Sequence, residues 1–322
     1  MNAPVEHASH AALSAPDDVY GPYREALIAE RLLIPLGARG LYARGGDFEK
    51  VIEHFDRVAT EAGNVFQPEV MRFPPVFARK HYTRLSHARN FPDLMGSVHS
   101  FSGGDKEHRA LIAKLDGAGD GKEQWESELE PSEVMMVPAG CYPLYPTAEG
   151  TTMAPGGRRV DTEGFIFRHE PSDDPARMQL FRQREFVRLG TPQEALEHRD
   201  YWLAKGLQIF GLLGLPVEKV VANDPFFGRG GKVQKAMQLE QVLKWEIVVP
   251  ICSAEKPTAI SSCNYHLDTF GATFGIRTSD GEIAHTACVG FGLERIALAL
   301  FKTHGLRYRA WPQQVRDVLE LS

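Results

Sequence analysis

Cysteine is scarce in this sequence. The four present, Cys141, Cys252, Cys263 and Cys288, form no C-x-x-C pair. That argues against a disulfide frame and leaves free thiols or scattered ligands, as in a cytoplasmic protein. No apolar run approaches the roughly 18 residues that cross a bilayer. Met1 to Pro16 holds no Lys or Arg and no continuous apolar stretch. It is therefore not a signal peptide, and residues 1–17 are expected to be a flexible tail. A basic excess is also missing: the net charge is −6. A protein that grips many nucleic-acid phosphates shows a basic field or stripe, and none is visible here. The twelve histidines form no H-E-x-x-H pattern, and there is no internal repeat or low-complexity run. Gly228-Arg229-Gly230-Gly231-Lys232 lacks the spacing of a phosphate loop, with Val233 where a hydroxyl belongs. It reads as a flexible turn.

What is present describes an ordinary globular chain. The 322 residues are 43% apolar and 24% charged, enough for a substantial core. One domain is expected over residues 18–322, with an insertion near 78–130 that contains the loop Gly117 to Gly121. Helices are expected from Tyr23 to Leu33 and, capped by Asp47, through Val51, Ile52, Phe55, Val58 and Ala59. Thr191-Pro192-Gln193-Glu194 is a capping-box start for an extra helix near 192–214. A further helix runs from Gly292 to His304. Strands are expected at Gly40–Ala43, Val65–Val70, Glu133–Pro138, Phe165–Arg168, Leu180–Leu189, Trp245–Ile251 and Phe270–Arg277. Strands separated by turns and uneven helices indicate an α+β protein with an antiparallel sheet.

Two distant segments carry chemistry. The first is Phe167-Arg168-His169-Glu170, a polar loop, then Leu180 to Val187. A guanidinium offers planar paired donors that match phosphate oxygens. Glu170, two residues on, shares its side at strand spacing and could accept from an exocyclic amine. Phe186 would give a base a face to stack on. Taken alone, this segment reads as an exposed strand with a salt bridge and a core phenylalanine. The second segment, Ala287-Cys288-Val289-Gly290-Phe291-Gly292-Leu293-Glu294-Arg295, shifts that balance. Its small residues permit close approach. Arg295 lies in a first helical turn, where a cation opposes the dipole unless an anion sits there or Glu294 pairs with it.

In order and content these segments resemble motifs 2 and 3 of the class II aminoacyl-tRNA synthetases, in particular seryl-tRNA synthetase. The helix Asp47–Ala62 with strand Val65–Val70 resembles the dimer-forming motif 1. Ala259-Ile260-Ser261-Ser262-Cys263-Asn264 resembles the segment that closes over the nucleotide. The resemblance covers about Gly40 to Phe301 and implies a class II synthetase-like antiparallel sheet flanked by helices. Barely 40 residues precede the motif 1 region, too few for the tRNA-gripping helical hairpin. Ala259 stands where a metal-binding glutamate is expected, which puts Mg2+ at that point in question. Thr147-Ala148-Glu149 copies a serine-recognition tripeptide but lies beyond Cys141, and is read as chance.

The chain more closely resembles the stand-alone amino acid–[carrier protein] ligases. That resemblance implies adenylation of a small amino acid, glycine or alanine, by ATP with Mg2+. Transfer to the phosphopantetheine thiol of an acyl-carrier protein would follow. It implies Arg168 and Arg295 as catalytic phosphate-holding residues. Glu170, Arg177, Met178, Phe186, Ala259, Ile260, Ser261 and Ser262 would surround ATP. One zinc ion would be held by Cys141, Glu185 and Cys288, with Glu185 also touching substrate. No tRNA or membrane partner is expected, and a homodimer is. The helix Pro192–Leu213 could present Glu197, His198, Arg199, Asp200 and Lys205 to the carrier. Two alternatives stay open: a truncated seryl-tRNA synthetase acting on tRNA, and a non-catalytic amino-acid-binding paralogue.

Overall fold

The computed structural model describes residues 19–117 and 125–322. The expected tail over residues 1–17 and most of the Gly117–Gly121 loop lie outside the described residues. Helix α1 (Gly21–Ala29) leads into a short antiparallel pair, β1 (Leu33–Pro35) and β2 (Tyr42–Arg44). Helix α2 (Gly46–Asn64) buries Phe48, Val51, Ile52, Phe55 and Ala59. This is the three-and-four spacing of a single core-facing stripe. Asp47 and Glu49 lie in its first turn, where negative charge complements the dipole. The strand expected at 65–70 starts later, as β3 (Glu69–Arg72), because Phe66 and Gln67 turn back onto the Gly63 and Asn64 carbonyls.

The expected insertion contains β4 (Val76–Ala78), α3 (Arg79–Arg84), α4 (His87–Asn90), β5 (Ser97–Ser100), α5 (Asp105–Gly117) and β6 (Glu130–Met136). Its strands form a three-stranded antiparallel sheet in the order β4-β6-β5. The short helix α6 (Leu144–Thr147) follows. Strands β7 (Arg158–Phe167) and β8 (Leu180–Gly190) then pair antiparallel. Helix α7 (Pro192–Leu212) opens with the expected capping box: Thr191 Oγ1 accepts from the Glu194 amide at 3.3 Å, and Glu194 Oε2 accepts from the Thr191 amide at 2.9 Å. After β9 (Glu218–Val221), the glycine-rich stretch expected as a flexible turn begins helix α8 (Gly228–Glu240).

Strands β10 (Lys244–Val249) and β11 (Thr258–Tyr265) come next. The strand expected at 270–277 is instead helix α9 (Thr269–Phe274). Phe270 and Phe274, four apart, are buried together on it, and Gly275 ends it at φ +65°. Strand β12 (His285–Gly292) runs directly into α10 (Leu293–His304), and α11 (Gln313–Val318) completes the described elements.

The large sheet has the order β3-β7-β8-β12-β11-β10-β9. Every neighbour pair is antiparallel except β3 with β7, which is parallel at one edge. Residues of α2, α7 and α10 join Phe186, Val289, Phe291 and Cys263 in the main core. A second core on the opposite face gathers Cys141, Leu144, Tyr145, Val160, Val187, Phe270 and Cys288. Period-two alternation along each strand thus sorts the residues onto two unlike faces.

Candidate active site

Strand β8 is the sorting element. Arg182, Arg184 and Phe186 point to the helices: Arg182 binds Glu49 at 2.7 Å, and Arg184 binds Asp56 at 2.6 Å. Phe186 stacks on Trp202, ring centroids 4.4 Å apart. By alternation Phe181, Gln183 and Glu185 point the other way. On β12, Gly290 lies opposite Glu185 and Cys288 opposite Val187. The loop after β6 brings in Cys141 and is tied down where the Gly140 amide donates to Gln183 Oε1 at 3.3 Å. A Cβ on Gly140 would fall 3.0 Å from Glu185 Oε1, and one on Gly290 would fall 2.6 Å from Gln183 Nε2. Glycine at these two positions is what lets three strands of chemistry meet.

The result is a cluster of three ligand-type atoms. The sulfurs of Cys141 and Cys288 and a carboxylate oxygen of Glu185 all lie within 4.8 Å of one another, and all three residues are buried. Glu185 Oε2 has no hydrogen-bond partner, a costly state for a buried carboxylate. Burial and then the neighbouring Cys288 push the Glu185 carboxyl well up. The Cys141 thiol, which donates to Cys288 and is itself buried, is held up as well. Cys288 is held well down, first by Cys141 and then, against burial, by His266 and Asn264. Two soft thiols and a carboxylate form a donor set that one tetrahedral ion could satisfy with a fourth position open.

Arg168 and Arg295 reach the same side from different elements. Arg168 lies just past the end of β7, so it and Glu170 do not share a strand face as expected. Its Nε donates to the Pro138 carbonyl at 3.1 Å. Arg295, in the first turn of α10, donates from Nε to Ala176 O at 2.8 Å and from Nη1 to Ala259 O at 3.0 Å. Their guanidinium carbons lie 5.8 and 5.6 Å from the centroid of one ring, Phe181. Burial, then Arg168 and Arg177, push Arg295 down to about 10. Arg168 and Arg295, hydrogen-bonded to neutral carbonyls and close together, form the cationic concentration that marks an anion site.

No family model matches the chain. Among curated proteins it is 40% identical, over 298 residues, to "Amino acid--[acyl-carrier-protein] ligase 1" of Bradyrhizobium diazoefficiens, covering 91% of this chain and 89% of the relative. Ligase 2 of the same organism is 41% identical over 317 residues, covering 97% and 93%. The chain belongs to the amino acid–[acyl-carrier-protein] ligase family. Among solved structures it superposes on the M. kandleri SerRS in complex with A. aeolicus tRNASec, with a TM-score of 0.79 at 21% identity. That alignment covers 94% of this chain and 60% of the synthetase chain. The fold is therefore that of a class II aminoacyl-tRNA synthetase, and the protein is a ligase.

Within this ligase several expected site residues stand elsewhere. Phe186 cannot lie against a nucleotide beside Glu185, because strand parity sends it into the core, where it is 3% exposed. Met178, just ahead of β8, is buried at 3% exposure and belongs to the same core cluster as Phe181. The β10–β11 register shifts between Ile247 and Val248. Ile260 is thereby an extra residue, a bulge that buries Ile260 and Ser261 together. Ser262 and Asn264 face the cluster, and Ala259 contributes its carbonyl to Arg295. Arg177 is exposed and pairs with Glu170 at 3.3 Å. On α7, His198 points inward to Phe186 O at 2.9 Å instead of outward. Gln183, Phe181 and His266 join the site although no sequence motif assigns them a role; for the first two the available signal is strand alternation, two and four residues before Glu185 on β8.

Among the described residues no helix is long and apolar enough to cross a membrane.

Proposed function

We propose that this ligase activates a small amino acid with ATP and passes it to the phosphopantetheine thiol of an acyl-carrier protein. In the first step a carboxylate oxygen of the amino acid attacks the α-phosphorus. A P–O bond forms, the bond to pyrophosphate breaks, and aminoacyl-adenylate results. In the second step the thiol sulfur attacks the activated carbonyl. The C–S bond forms, AMP leaves, and the thiol proton passes to solvent. The observation that carries this reading is the approach of Arg168 and Arg295 to the Phe181 ring, on the side of the sheet to which Glu185 of the Cys141–Glu185–Cys288 cluster points.

Arg168 holds the α-phosphate and Arg295 the γ-phosphate of a bent triphosphate, with positioning and charge stabilisation as the work of the protein. Phe181 replaces Phe186 as the ring on which adenine stacks. Glu170 and Arg177 sit at the outer end, and Ala259 to Ser262 close the site with backbone and the Ser262 hydroxyl. Mg2+ accompanies ATP, although Ala259 offers it no carboxylate. Cys141, Glu185 and Cys288 fit a zinc ion, as the unpartnered Glu185 oxygen and the thiol-rich donor set indicate. When bound, that ion would supply a Lewis acid for the free amine of the substrate. A close aromatic wall supports glycine or alanine as substrate: Tyr145 stacks on Phe270 at 3.9 Å, and Tyr142 meets Phe270 at 5.8 Å. Exposed Val70 on edge strand β3, with exposed Val65 just ahead of it, supports a homodimer. A cytoplasmic setting suits the reduced thiols.

ATP–pyrophosphate exchange with an amino-acid panel, followed by labelling of a pantetheinylated carrier protein and of tRNA in parallel, tests the proposal. Exchange with glycine or alanine and label on the carrier alone is expected. Label on tRNA, or no exchange with zinc present, would overturn it.

A further inference from the structure

The cluster has a neighbour that the reaction scheme leaves unused. Ser262 and Asn264 line the site side of β11, and His266 continues that row just beyond the strand. His266 is anchored twice to β12: its amide donates to Thr286 O at 2.9 Å, and its Nδ1 lies 3.0 Å from Thr286 Oγ1. Thr286 is fully buried, and its own amide donates to Leu267 O. The ring also meets Phe270 edge-on at 4.9 Å. These contacts leave the imidazole little freedom. Its remaining nitrogen, Nε2, lies 3.6 Å from Cys288 Sγ. On the same sulfur, Asn264 Nδ2 donates at 3.5 Å.

The polarity follows from what each atom can do. A sulfur that binds a metal is an anion and can only accept. Nε2 must then carry the hydrogen, Nδ1 must be the bare nitrogen, and the Thr286 hydroxyl donates to it. This is the arrangement in which a neighbouring group fixes the ring tautomer. His266 itself lies outside the set of atoms within 4.8 Å of one another. It acts on the sulfur from behind instead of completing the ligand set.

We infer that His266, held in its Nε2–H tautomer by Thr286, is a positioning residue that aims and electronically tempers the Cys288 sulfur as a metal ligand. The inference rests on the metal reading proposed above. Cys288 thereby becomes the strongly supported ligand, with two donors behind it. Outer partners of this kind typically contribute about 10–100-fold to metal affinity.

The test uses the full chain stripped of metal and reloaded with Co2+, with zinc affinity measured by competition against a chromophoric chelator. Wild type is expected to bind one ion with a thiolate-to-cobalt charge-transfer band. His266→Phe keeps a ring against Phe270 but removes the donor. It should bind zinc about 10–100-fold more weakly and shift the band to lower energy, since an unassisted thiolate gives up electrons more readily. His266→Gln, whose amide can replace the Nε2 donor, should recover much of both. Thr286→Val, near-isosteric, should shift the band in the same direction and guards against a misfolded ring variant. Unchanged affinity and spectrum in His266→Phe and Thr286→Val would overturn the inference and leave the metal site standing. Equal loss in His266→Phe and His266→Gln would reduce His266 to packing and also overturn it. Failure of wild type to bind Co2+ or zinc at all would sink the metal reading itself.

Discussion

Phe181 and Phe186 lie five residues apart on one strand, so they face opposite ways, and exchanging their assigned roles is the sharpest available test. Phe186 is 3% exposed, stacked on Trp202 at 4.4 Å, with its ring over Gly63 where a Cβ would clash at 2.2 Å. Phe186→Ala empties that slot, and a buried Phe→Ala change costs about 3–5 kcal/mol. Against a total stability of about 5–15 kcal/mol the variant stays folded in the cold. Phe181 is also buried, at 6% exposure, so Phe181→Ala destabilises too, and stability alone does not separate the pair. Nucleotide affinity does. Stacking of a base on an aromatic ring is worth about 1–3 kcal/mol, so Phe181→Ala should raise the KM for ATP roughly 5- to 150-fold. Phe186→Ala should leave it within about twofold once the folded fraction is counted. Urea titration supplies that fraction, and ATP-dependent pyrophosphate exchange supplies KM. A raised KM in Phe186→Ala with a normal one in Phe181→Ala would refute the face assignment of β8 and the nucleotide placement with it.

Arg168→Ala and Arg295→Ala should each lower exchange by about 10²–10³ with little change in urea midpoint; near-normal turnover in either would remove it from the reaction. Dialysis against a strong chelator should abolish amino-acid-dependent exchange, and zinc should restore it. Full activity in a preparation that elemental analysis finds metal-free would refute the role of the Cys141–Glu185–Cys288 cluster. Burial holds His87 and His198 down to about 4, against about 6.5 when free. The unfolded chain therefore takes up protons first as the pH falls. Stability present above pH 6.5 is lost between about 6.5 and 4, by about 3 kcal/mol for each ring. Both His87 ring nitrogens lack partners, so His87→Phe should fold as well at pH 7.5 and lose less stability at pH 4.5; an unchanged pH slope in urea titrations would contradict this. Thr191→Ala removes the α7 cap and should cost about 1 kcal/mol, and no change in midpoint would show that the cap contributes nothing.

How far the sequence could be read depends on the range of the interaction involved. The α7 cap is legible because its partners lie three residues apart. The α2 stripe is legible because 3.6-residue periodicity is local. Strand parity puts Glu185 and Phe186 on opposite faces of β8, so only one of them can face the cluster, and the aromatic at the parity of Glu185 is Phe181. Helix α9 is misread because Phe270, Thr273 and Phe274 are residues that strands favour, while the deciding contact, Tyr145 on Phe270, comes from a distant segment. The bulge at Ile260 depends on the register of β10, which no local pattern in β11 reveals. The approach of two cysteines 147 positions apart in the chain is likewise a property of the sheet order. From sequence, only the likeness of the motifs to a known family points to it.

Arg295 sits where a helix dipole disfavours it, and its neighbour explains why it is not simply neutralised. Glu294, 1% exposed, is turned to the helix side of the sheet. There it accepts from the Arg182 amide at 2.7 Å and Arg182 Nε at 3.0 Å, and it pairs with Arg44 Nε at 3.0 Å. Its charge is fully engaged and also complements the N-terminus of α10. Glu294 is thus unavailable to Arg295, the pairing that a solvated helix face would have offered. Arg295 is left hydrogen-bonded to two neutral carbonyls, Ala176 and Ala259. Carbonyl oxygens orient a guanidinium without cancelling its charge. The ion network on one face of the sheet therefore fixes the helix start, and that anchoring keeps a bare cation available on the other.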